Sequence, residues 1–120
     1  MKKIAVINDL SGFGKCSLSA ALPIISAHGI QCCPLPTGVY SNQTGYESYQ
    51  YVDLTDALEG FIDEWRKLGA SFDGILTGFL PSSRQGQMIA RFIDEFKTEN
   101  TVVVVDPVMA DGGELYKGFD

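Results

Sequence analysis

Short runs of consecutive apolar residues constrain the fold of this chain more than any other feature. Ile4-Ala5-Val6-Ile7 and Val102-Val103-Val104-Val105 contain no polar position. A strand with one face in water would alternate, so such runs are typical of strands that are buried on both faces, as in a parallel sheet covered by helices. The segments 30–35 and 72–77 predict two further strands.

Three segments with helical spacing of their apolar residues lie between these strands. The first predicts a helix over 15–28 that ends at Gly29, and the second helix ends at Gly69. The third predicted helix begins with a capping box formed by Ser82 and Gln85. The apolar faces of the second and third helices comprise Leu58, Phe61, Ile62, Trp65 and Leu68, and Met88, Ile89, Phe92, Ile93 and Phe96.

This alternation predicts an α/β fold, a three-layer sandwich with a mostly parallel sheet, because right-handed crossovers place helices on both faces. Ligands of such sheets bind outside the carboxyl ends of the strands. Four groups of residues follow the predicted strands, and we expect them to meet at that edge. The groups are Asn8-Asp9-Leu10-Ser11-Gly12, Pro36-Thr37-Gly38, Thr77-Gly78-Phe79 and Asp106-Pro107.

Composition excludes several classes of protein. The 120 residues, 45% hydrophobic and 20% charged, suit one globular domain or part of one, without repeats or linkers. A net charge of −6 with scattered Lys and Arg argues against a nucleic-acid partner. No apolar run approaches the roughly 18 residues of a membrane span, and no signal-peptide pattern follows Met1, so we expect a cytoplasmic protein without a membrane partner.

The segment Gly12-Phe13-Gly14-Lys15-Cys16-Ser17 lies between a predicted strand and a predicted helix, where glycine-rich phosphate loops occur. It matches neither common pattern: Cys16 stands where a P-loop has Ser or Thr, and the dinucleotide fingerprint lacks its third glycine. The pattern favours a tight turn that presents Asn8, Asp9 and Ser11 to a small polar ligand. Ordinary turn and cap chemistry is the alternative.

Residues 37–50 predict a long loop with some irregular or edge structure, because they are rich in Ser, Asn, Gly and Tyr and have no helical period. Within it, Ser41-Asn42-Gln43-Thr44-Gly45-Tyr46 offers hydroxyls, amides and aromatic rings. These groups suit a flat heteroaromatic ligand, which can stack on the rings and bond to the polar groups. An ordinary surface loop is the alternative.

Acidic residues follow the valine strand. Asp106, directly after that strand, can cap the next element or help to hold a divalent cation against phosphates. Asp111 and Glu114 follow beside Gly112 and Gly113. A magnesium–nucleotide site and a solvated acidic loop are both compatible with this pattern.

Four segments carry a family resemblance when they are taken together. They are Asn8-Asp9-Leu10-Ser11-Gly12-Phe13-Gly14, Pro36-Thr37 with Ser41-Asn42-Gln43-Thr44-Gly45-Tyr46, Leu76-Thr77-Gly78-Phe79 and Val105-Asp106-Pro107-Val108-Met109. This ordered set resembles the pyridoxal (pyridoxamine) kinase family, which belongs to the ribokinase-like superfamily. The resemblance spans the whole chain, and the Ser-Asn-x-Thr-Gly-Tyr and Asp-Pro-Val-Met segments are its most specific parts.

The resemblance implies a ribokinase-like transferase of vitamin B6 salvage. Such a kinase uses ATP and Mg²⁺ to phosphorylate the hydroxymethyl group of pyridoxal, pyridoxamine or pyridoxine, and it is a homodimer at full length. Asp9 or Ser11 would contact the pyridine nitrogen or the phenolic oxygen, and Phe79 stands where many relatives have tyrosine. By position, the substrate contacts are Asn8, Asp9, Ser11, Thr44, Tyr46 and Phe79, and the ATP or metal contacts are Asp106 and Asp111.

The chain also departs from the family. Ala110 replaces the usual glycine of an Asp-Pro-Val-Met-Gly-Asp pattern, and the Gly-x-Gly-Asp segment with the catalytic base does not occur. Family members are more than twice as long. We therefore expect residues 1–120 to be the N-terminal part of a single ribokinase-like kinase domain, incomplete on its C-terminal side. The base is expected beyond residue 120, and the chain alone is expected to be inactive.

Two other functions fit the same residues. A hydroxymethylpyrimidine kinase belongs to the same superfamily, and turnover of pyridoxal against the pyrimidine alcohol would separate the two enzymes. A non-catalytic module is the other possibility, either a truncated kinase that binds the vitamin or a flavodoxin-like regulator with an acidic site. Binding of pyridoxal without ATP dependence would favour the truncated kinase, and binding of neither ligand would favour the regulator.

Overall fold

The computed structural model describes residues 1–106, 110–111 and 114–115. Strands and helices alternate along most of this length, as predicted. The elements are β1 (Lys3–Phe13), α1 (Ser17–Ala27), β2 (Gln31–Asn42), β3 (Tyr51–Asp53), α2 (Thr55–Lys67), β4 (Gly74–Thr77), α3 (Ser83–Phe96), β5 (Val102–Val105), β6 (Ala110–Asp111) and β7 (Glu114–Leu115).

Five of the strands form one mostly parallel sheet in the order β3-β2-β1-β4-β5. β1 pairs in parallel with β2 and β4, β4 pairs in parallel with β5, and β3 is antiparallel to β2. β6 and β7 form a separate antiparallel pair. From β1 the chain moves to β2 on one side of the sheet and then crosses back to β4 and β5 on the other side. Right-handed crossovers in these opposite directions place α1 on one face of the sheet and α2 and α3 on the other. The predicted α/β sandwich is confirmed.

The main core lies between the sheet and the pair α2 and α3. Ala5 and Ile7 of β1 are fully buried and face this core, while Leu58 of α2 is also fully buried. Aromatic rings complete it: Phe92 packs against Phe96 with ring centroids 4.6 Å apart. Burial of such aliphatic and aromatic side chains is the main force that holds helices on a sheet.

The predicted helix ends agree with the structure. Gly29 and Gly69 follow α1 and α2 with φ of +73° and +64°, a conformation that glycine adopts without steric cost. Ser82 is the N-cap of α3, and its hydroxyl accepts a hydrogen bond of 3.2 Å from the backbone N–H of Gln85. Among the described residues, no helix has the length and apolar character needed to cross a membrane.

The first two strands are longer than predicted. β1 continues to Phe13 and β2 to Asn42, so the loop prediction for 37–50 is wrong for residues 37–42. The residues from Asn8 to Gly12, expected just past a strand, lie within β1. The strands extend because each supplies the other with backbone hydrogen bonds, which polar side chains do not prevent.

A bulge interrupts the pairing of these two strands. Asn8 pairs with Pro36, whereas Leu10 pairs with Val39, so two residues of β2 lie opposite Asp9. Beyond the bulge the pairing resumes as far as the ends of both strands. A bulge re-aims side chains and is common next to binding sites.

Candidate functional site

A pocket of about 200 Å³ opens where β2 leaves the core. Its walls come from β2, from the segment after β2, from β3 and from the connection between β4 and α3. This is the end of the sheet at which α/β proteins bind ligands. The lining residues are Thr37, Gly38, Tyr40, Thr44, Tyr49, Tyr51, Asp53, Phe79, Pro81 and Ser82.

Three tyrosines form an aromatic wall of this pocket. The rings of Tyr40 and Tyr51 are stacked, with centroids 5.2 Å apart and planes at 15°. Tyr49 lies 5.9 Å from Tyr40 and 6.2 Å from Tyr51. Burial, together with the nearby carboxylate of Asp9, raises the pKa of Tyr40 to about 12. Its hydroxyl therefore stays protonated at neutral pH and can donate a hydrogen bond.

A carboxylate lies on the same side of the pocket. Asp53 Oδ1 accepts a hydrogen bond of 2.8 Å from the backbone N–H of Thr55, and it also accepts one from the Thr55 hydroxyl. These two bonds, with a smaller contribution from the Arg84 guanidinium, hold the pKa of Asp53 below its ordinary value. Asp53 thus presents a negative charge to the pocket while it binds the backbone N–H of the first residue of α2, where a negative charge is favourable.

Asp9 and Ser11 lie on β1, beside the pocket. Asp9 is 8% exposed, and its carboxylate accepts hydrogen bonds from the hydroxyls of Ser17 at 2.9 Å and Ser11 at 3.4 Å. Within residues 1–106, no lysine or arginine forms a salt bridge with this carboxylate. A buried carboxylate held by hydroxyls alone can accept a further donor from a ligand.

Asn8 lies in β1 just past the part of that strand that pairs with β4, and it contacts the residue that follows β4. Its side-chain oxygen accepts a hydrogen bond of 2.9 Å from the backbone N–H of Asp9, and its side chain packs against Gly78, which follows β4. The backbone N–H of Gly78 donates to the carbonyl of Ile7 at 2.8 Å. β1 and β4 are the strands between which the chain reverses its direction across the sheet, and ligands commonly bind at such a point.

The other predicted substrate contacts fall in different places. Thr44 and Phe79 line the pocket. Tyr46 is not part of the described lining: its exposed ring packs edge-on against Phe13, with centroids 5.8 Å apart. Residues from three of the predicted groups nevertheless lie close together, since Asn8 contacts Gly78 and both Thr37 and Phe79 line the pocket, although Asn8 and Thr37 lie within strands.

The predicted metal contacts are only partly described. Asp106 is exposed directly after β5, and its backbone N–H donates to the carbonyl of Thr77 at 3.1 Å. The side chain of Asp111 lies outside the described residues. The described part of the chain contains no group of three or more His, Cys, Asp or Glu side chains that could hold a metal ion.

Sequence reasoning missed five of the lining residues, Tyr40, Tyr49, Tyr51, Asp53 and Pro81. Three of them recur at every second position from 49 to 53, which is the period of a strand and was a usable signal. It also missed Gln85, which lies behind the pocket. Its apolar neighbours on α3 stand three and four residues further on, the spacing of one buried helix face.

The chain is similar to several proteins of known structure. No protein-family model matches the chain. A structure, determined with pyridoxal, of a protein from Bacteroides thetaiotaomicron assigned as a phosphomethylpyrimidine kinase is 49% identical, with a TM-score of 0.97 over 99% of this chain. The pyridoxal kinase of Lactobacillus plantarum is 36% identical, with a TM-score of 0.91 over 100% of it.

A curated relative points the same way. Pyridoxine/pyridoxal/pyridoxamine kinase of Bordetella avium is 30% identical over 104 residues, or 82% of this chain. The chain belongs to the pyridoxal kinase family. The chain spans less than half the length of these relatives: 35% of the Bordetella protein and 43% of the Lactobacillus protein. It also spans 42% of the Bacteroides protein.

Proposed function

We propose that the protein carrying this chain transfers a phosphoryl group from ATP to the hydroxymethyl group of pyridoxal, pyridoxamine or pyridoxine. The pocket beside β2 supports this most directly. It combines a stacked aromatic wall with hydroxyls and a carboxylate, and a substituted pyridine ring presents a flat face with polar groups around its edge. The Bacteroides relative, determined with pyridoxal, adds to this support.

In this proposal the described residues bind and orient the vitamin. Phe79 and the tyrosine wall contact the faces of the ring, while Thr44 contacts a polar substituent. Asp9, held by hydroxyls, accepts a hydrogen bond from the protonated ring nitrogen or the phenol, and Ser11 and Asn8 complete that edge. Fixing the hydroxymethyl group in place lowers the entropic barrier to its reaction with a phosphate.

ATP and Mg²⁺ are part of the proposal, and the described residues supply one suitable group. Magnesium in kinases keeps several waters and takes one or two carboxylates from the protein, in addition to the phosphates. The exposed Asp106, after β5, fits such a single ligand. The ion supplies charge stabilisation for the transferring phosphate. Asp111 is proposed as the second carboxylate from the family resemblance, which also suggests a cytoplasmic homodimer.

A hydroxymethylpyrimidine is the alternative substrate. The assignment of the Bacteroides relative as a phosphomethylpyrimidine kinase favours it. The pyrimidine is also a flat heteroaromatic ring with a hydroxymethyl group, so the same aromatic wall would accept it. The two substrates differ at the ring position next to the Asp9 edge, where pyridoxal carries a phenol.

The test is a comparison of initial rates in the protein that carries this chain. We expect ATP-dependent phosphorylation of all three B6 vitamers, with kcat/KM at least tenfold above that for the hydroxymethylpyrimidine. A preference for the pyrimidine would instead assign the alternative activity. Binding of pyridoxal without turnover would indicate a non-catalytic vitamin-binding protein, and a lack of binding would exclude both kinase activities.

A further inference from the structure

Gln85 is a fully buried polar residue directly behind the wall of the pocket. It lies in the first turn of α3 with none of its surface exposed. Its side-chain Nε2 donates two hydrogen bonds, one of 3.1 Å to the backbone carbonyl of Thr37 and one of 2.7 Å to the hydroxyl of Thr55. Thr37 lines the pocket from β2, and Thr55 begins α2. One amide group thus joins three elements.

The hydrogen bonds have a fixed direction. The Thr55 hydroxyl has one proton and donates it to the carboxylate of Asp53, so it must accept its other bond from Gln85. The carbonyl of Thr37 can only accept, which again requires the NH₂ group of Gln85 at this place. The chain of bonds therefore runs from Gln85 through Thr55 to Asp53, and two pocket-lining residues are held from behind.

The position of Gln85 in the helix does not explain why an amide side chain is needed there. The capping box predicts that Gln85 reaches back to the N-cap residue Ser82, but the side chain turns into the protein instead. Its Oε1 is buried and has no hydrogen-bond partner among the described residues. An apolar residue, like the neighbouring Met88 and Ile89, would fill this site without an unpaired oxygen. We therefore attribute the presence of an amide at this position to the two hydrogen bonds that it donates to Thr37 and Thr55.

We propose that Gln85 is a positioning residue for the ligand pocket. The backbone pairing of β2 with β3 and a bond of 3.2 Å from the Leu54 N–H to the carbonyl of Thr37 fix the two strands relative to each other. Gln85 adds the contact from α3, and so it holds the wall formed by Thr37 and Asp53 in place against the helix layer. The identity of the ligand, a B6 vitamer, rests on the proposed function. Gln85 is buried and does not line the pocket, so we expect its loss to weaken binding of the vitamer through Thr37 and Asp53 and to leave the chemical step and the binding of ATP unchanged.

The first experiment compares Gln85→Leu with Gln87→Leu in the protein that carries this chain. Gln87 lies on the same helix but is exposed, so its variant controls for the loss of an amide. The readouts are the dissociation constant for pyridoxal, measured by titration, and steady-state kinetics. For Gln85→Leu we expect the dissociation constant and the KM for the vitamer to rise about tenfold, with kcat and the KM for ATP within twofold.

A second set of variants separates positioning from a loss of folding. Thr55→Val removes the hydroxyl and keeps the branched shape, whereas Thr55→Ser keeps the hydroxyl. We expect Thr55→Val to weaken pyridoxal binding about as much as Gln85→Leu, and Thr55→Ser to restore affinity to within twofold. Gln85→Glu keeps the shape of the side chain but loses donors when ionised, so its binding defect is expected to grow as pH rises.

The possible outcomes distinguish a failure of the positioning role from a failure of the proposed kinase activity. Wild-type affinity in both Gln85→Leu and Thr55→Val overturns the positioning role, as does a loss confined to kcat. A Gln85→Glu defect that is independent of pH also contradicts it. If the wild-type protein binds pyridoxal but does not phosphorylate it, the proposed kinase activity fails while the binding comparison still stands. If it does not bind pyridoxal, both proposals fail.

Discussion

The side chain of Asn8 occupies the space in which Gly78 would carry a Cβ atom. A Cβ built on Gly78 comes within 2.2 Å of Asn8 Nδ2 and 2.5 Å of Asn8 Cγ. This contact lies where the chain reverses its direction across the sheet, just past the last pair of β1 with β4. The position of Asn8, a predicted substrate contact, therefore depends on the absence of a side chain at Gly78.

Gly78→Ala is expected to displace the Asn8 amide and to lower the free energy of unfolding by about 1–3 kcal/mol, the usual cost of overpacking. It should also weaken pyridoxal binding, because the Asn8 edge moves. Urea denaturation and ligand titration measure the two effects. Gly60→Ala is the matched control: no atom lies within 4 Å of its added Cβ on α2, and we expect it to stabilise by about 0.5–1 kcal/mol.

Phe79→Ala is expected to raise the KM for pyridoxal about tenfold, because it removes one aromatic surface from the pocket. Phe79→Tyr should retain most of the affinity, since the ring is kept. The control is Phe61→Ala on α2, whose ring is 41% exposed and is absent from the described pocket lining. An equal change in KM for Phe79→Ala and Phe61→Ala would contradict the assignment of this pocket.

Tyr40 is expected to make the fold sensitive to alkaline pH. Its pKa of about 12 lies above the ordinary value of 10.0, so the folded state favours the protonated phenol. That contribution to stability is complete below pH 10.0 and is lost as the pH rises through 12. Tyr40→Phe should abolish this part of the pH dependence. The chain has five tyrosines, so the pKa of Tyr40 is read from the difference in near-ultraviolet phenolate absorbance between wild type and Tyr40→Phe during alkaline titration. A transition near 10 in that difference would refute the prediction.

Asp53 is expected to act at the opposite end of the pH range. Its pKa in the folded state lies below the ordinary 3.8, so its stabilising effect is present above pH 3.8 and is lost as the pH falls through the folded-state pKa. At neutral pH, Asp53→Ala should cost about 1 kcal/mol of unfolding free energy, as expected for the loss of its hydrogen bonds to Thr55. The difference from wild type should shrink in acid. Asp94→Ala, in an exposed ion pair, should change stability by less than about 0.5 kcal/mol.

The 120-residue chain by itself is expected to form no pyridoxal phosphate from pyridoxal and ATP. It spans 35–43% of the relatives described above, and phosphoryl transfer requires groups on both sides of the transferred phosphate. The assay compares the isolated chain with the whole protein that carries it, at equal concentration. Turnover by the isolated chain above the rate without enzyme would contradict this expectation.

Much of the fold follows from patterns within single segments. The apolar run Ile4-Ala5-Val6-Ile7 marks the buried part of β1, and the predicted apolar face of α3 lies in or against the core. The predicted face of α2 was correct for Leu58, Ile62 and Trp65 but wrong for Phe61 and Leu68, which are exposed. The prediction was wrong for residues 37–42 because that extension depends on pairing with a strand distant in sequence. A polar segment such as Asn8-Asp9-Leu10-Ser11 shows no strand period that would reveal it.

The site was predictable where a motif is local and was missed where contacts are long-range. Thr44 and Phe79 belong to motifs of the family resemblance, and both line the pocket. Gln85 was assigned to a capping box because Ser82 precedes it by three residues. Its partners Thr37 and Thr55 lie 48 and 30 residues away, so no local pattern indicates them. Such partners emerge only from the packing of α3 against β2 and α2.

The bulge between β1 and β2 also bears on how this fold can change its ligand. Before the bulge, the core around Leu35 fixes which side chains of β2 point inward. Beyond the bulge this alternation is reset, and the side chains line the pocket around Tyr40. Mutations in the outer half of β2 can therefore accumulate without disturbing the inner half. Under the proposed function, we expect a change of preference between pyridine and pyrimidine rings to arise from substitutions in this outer half while the interior stays the same.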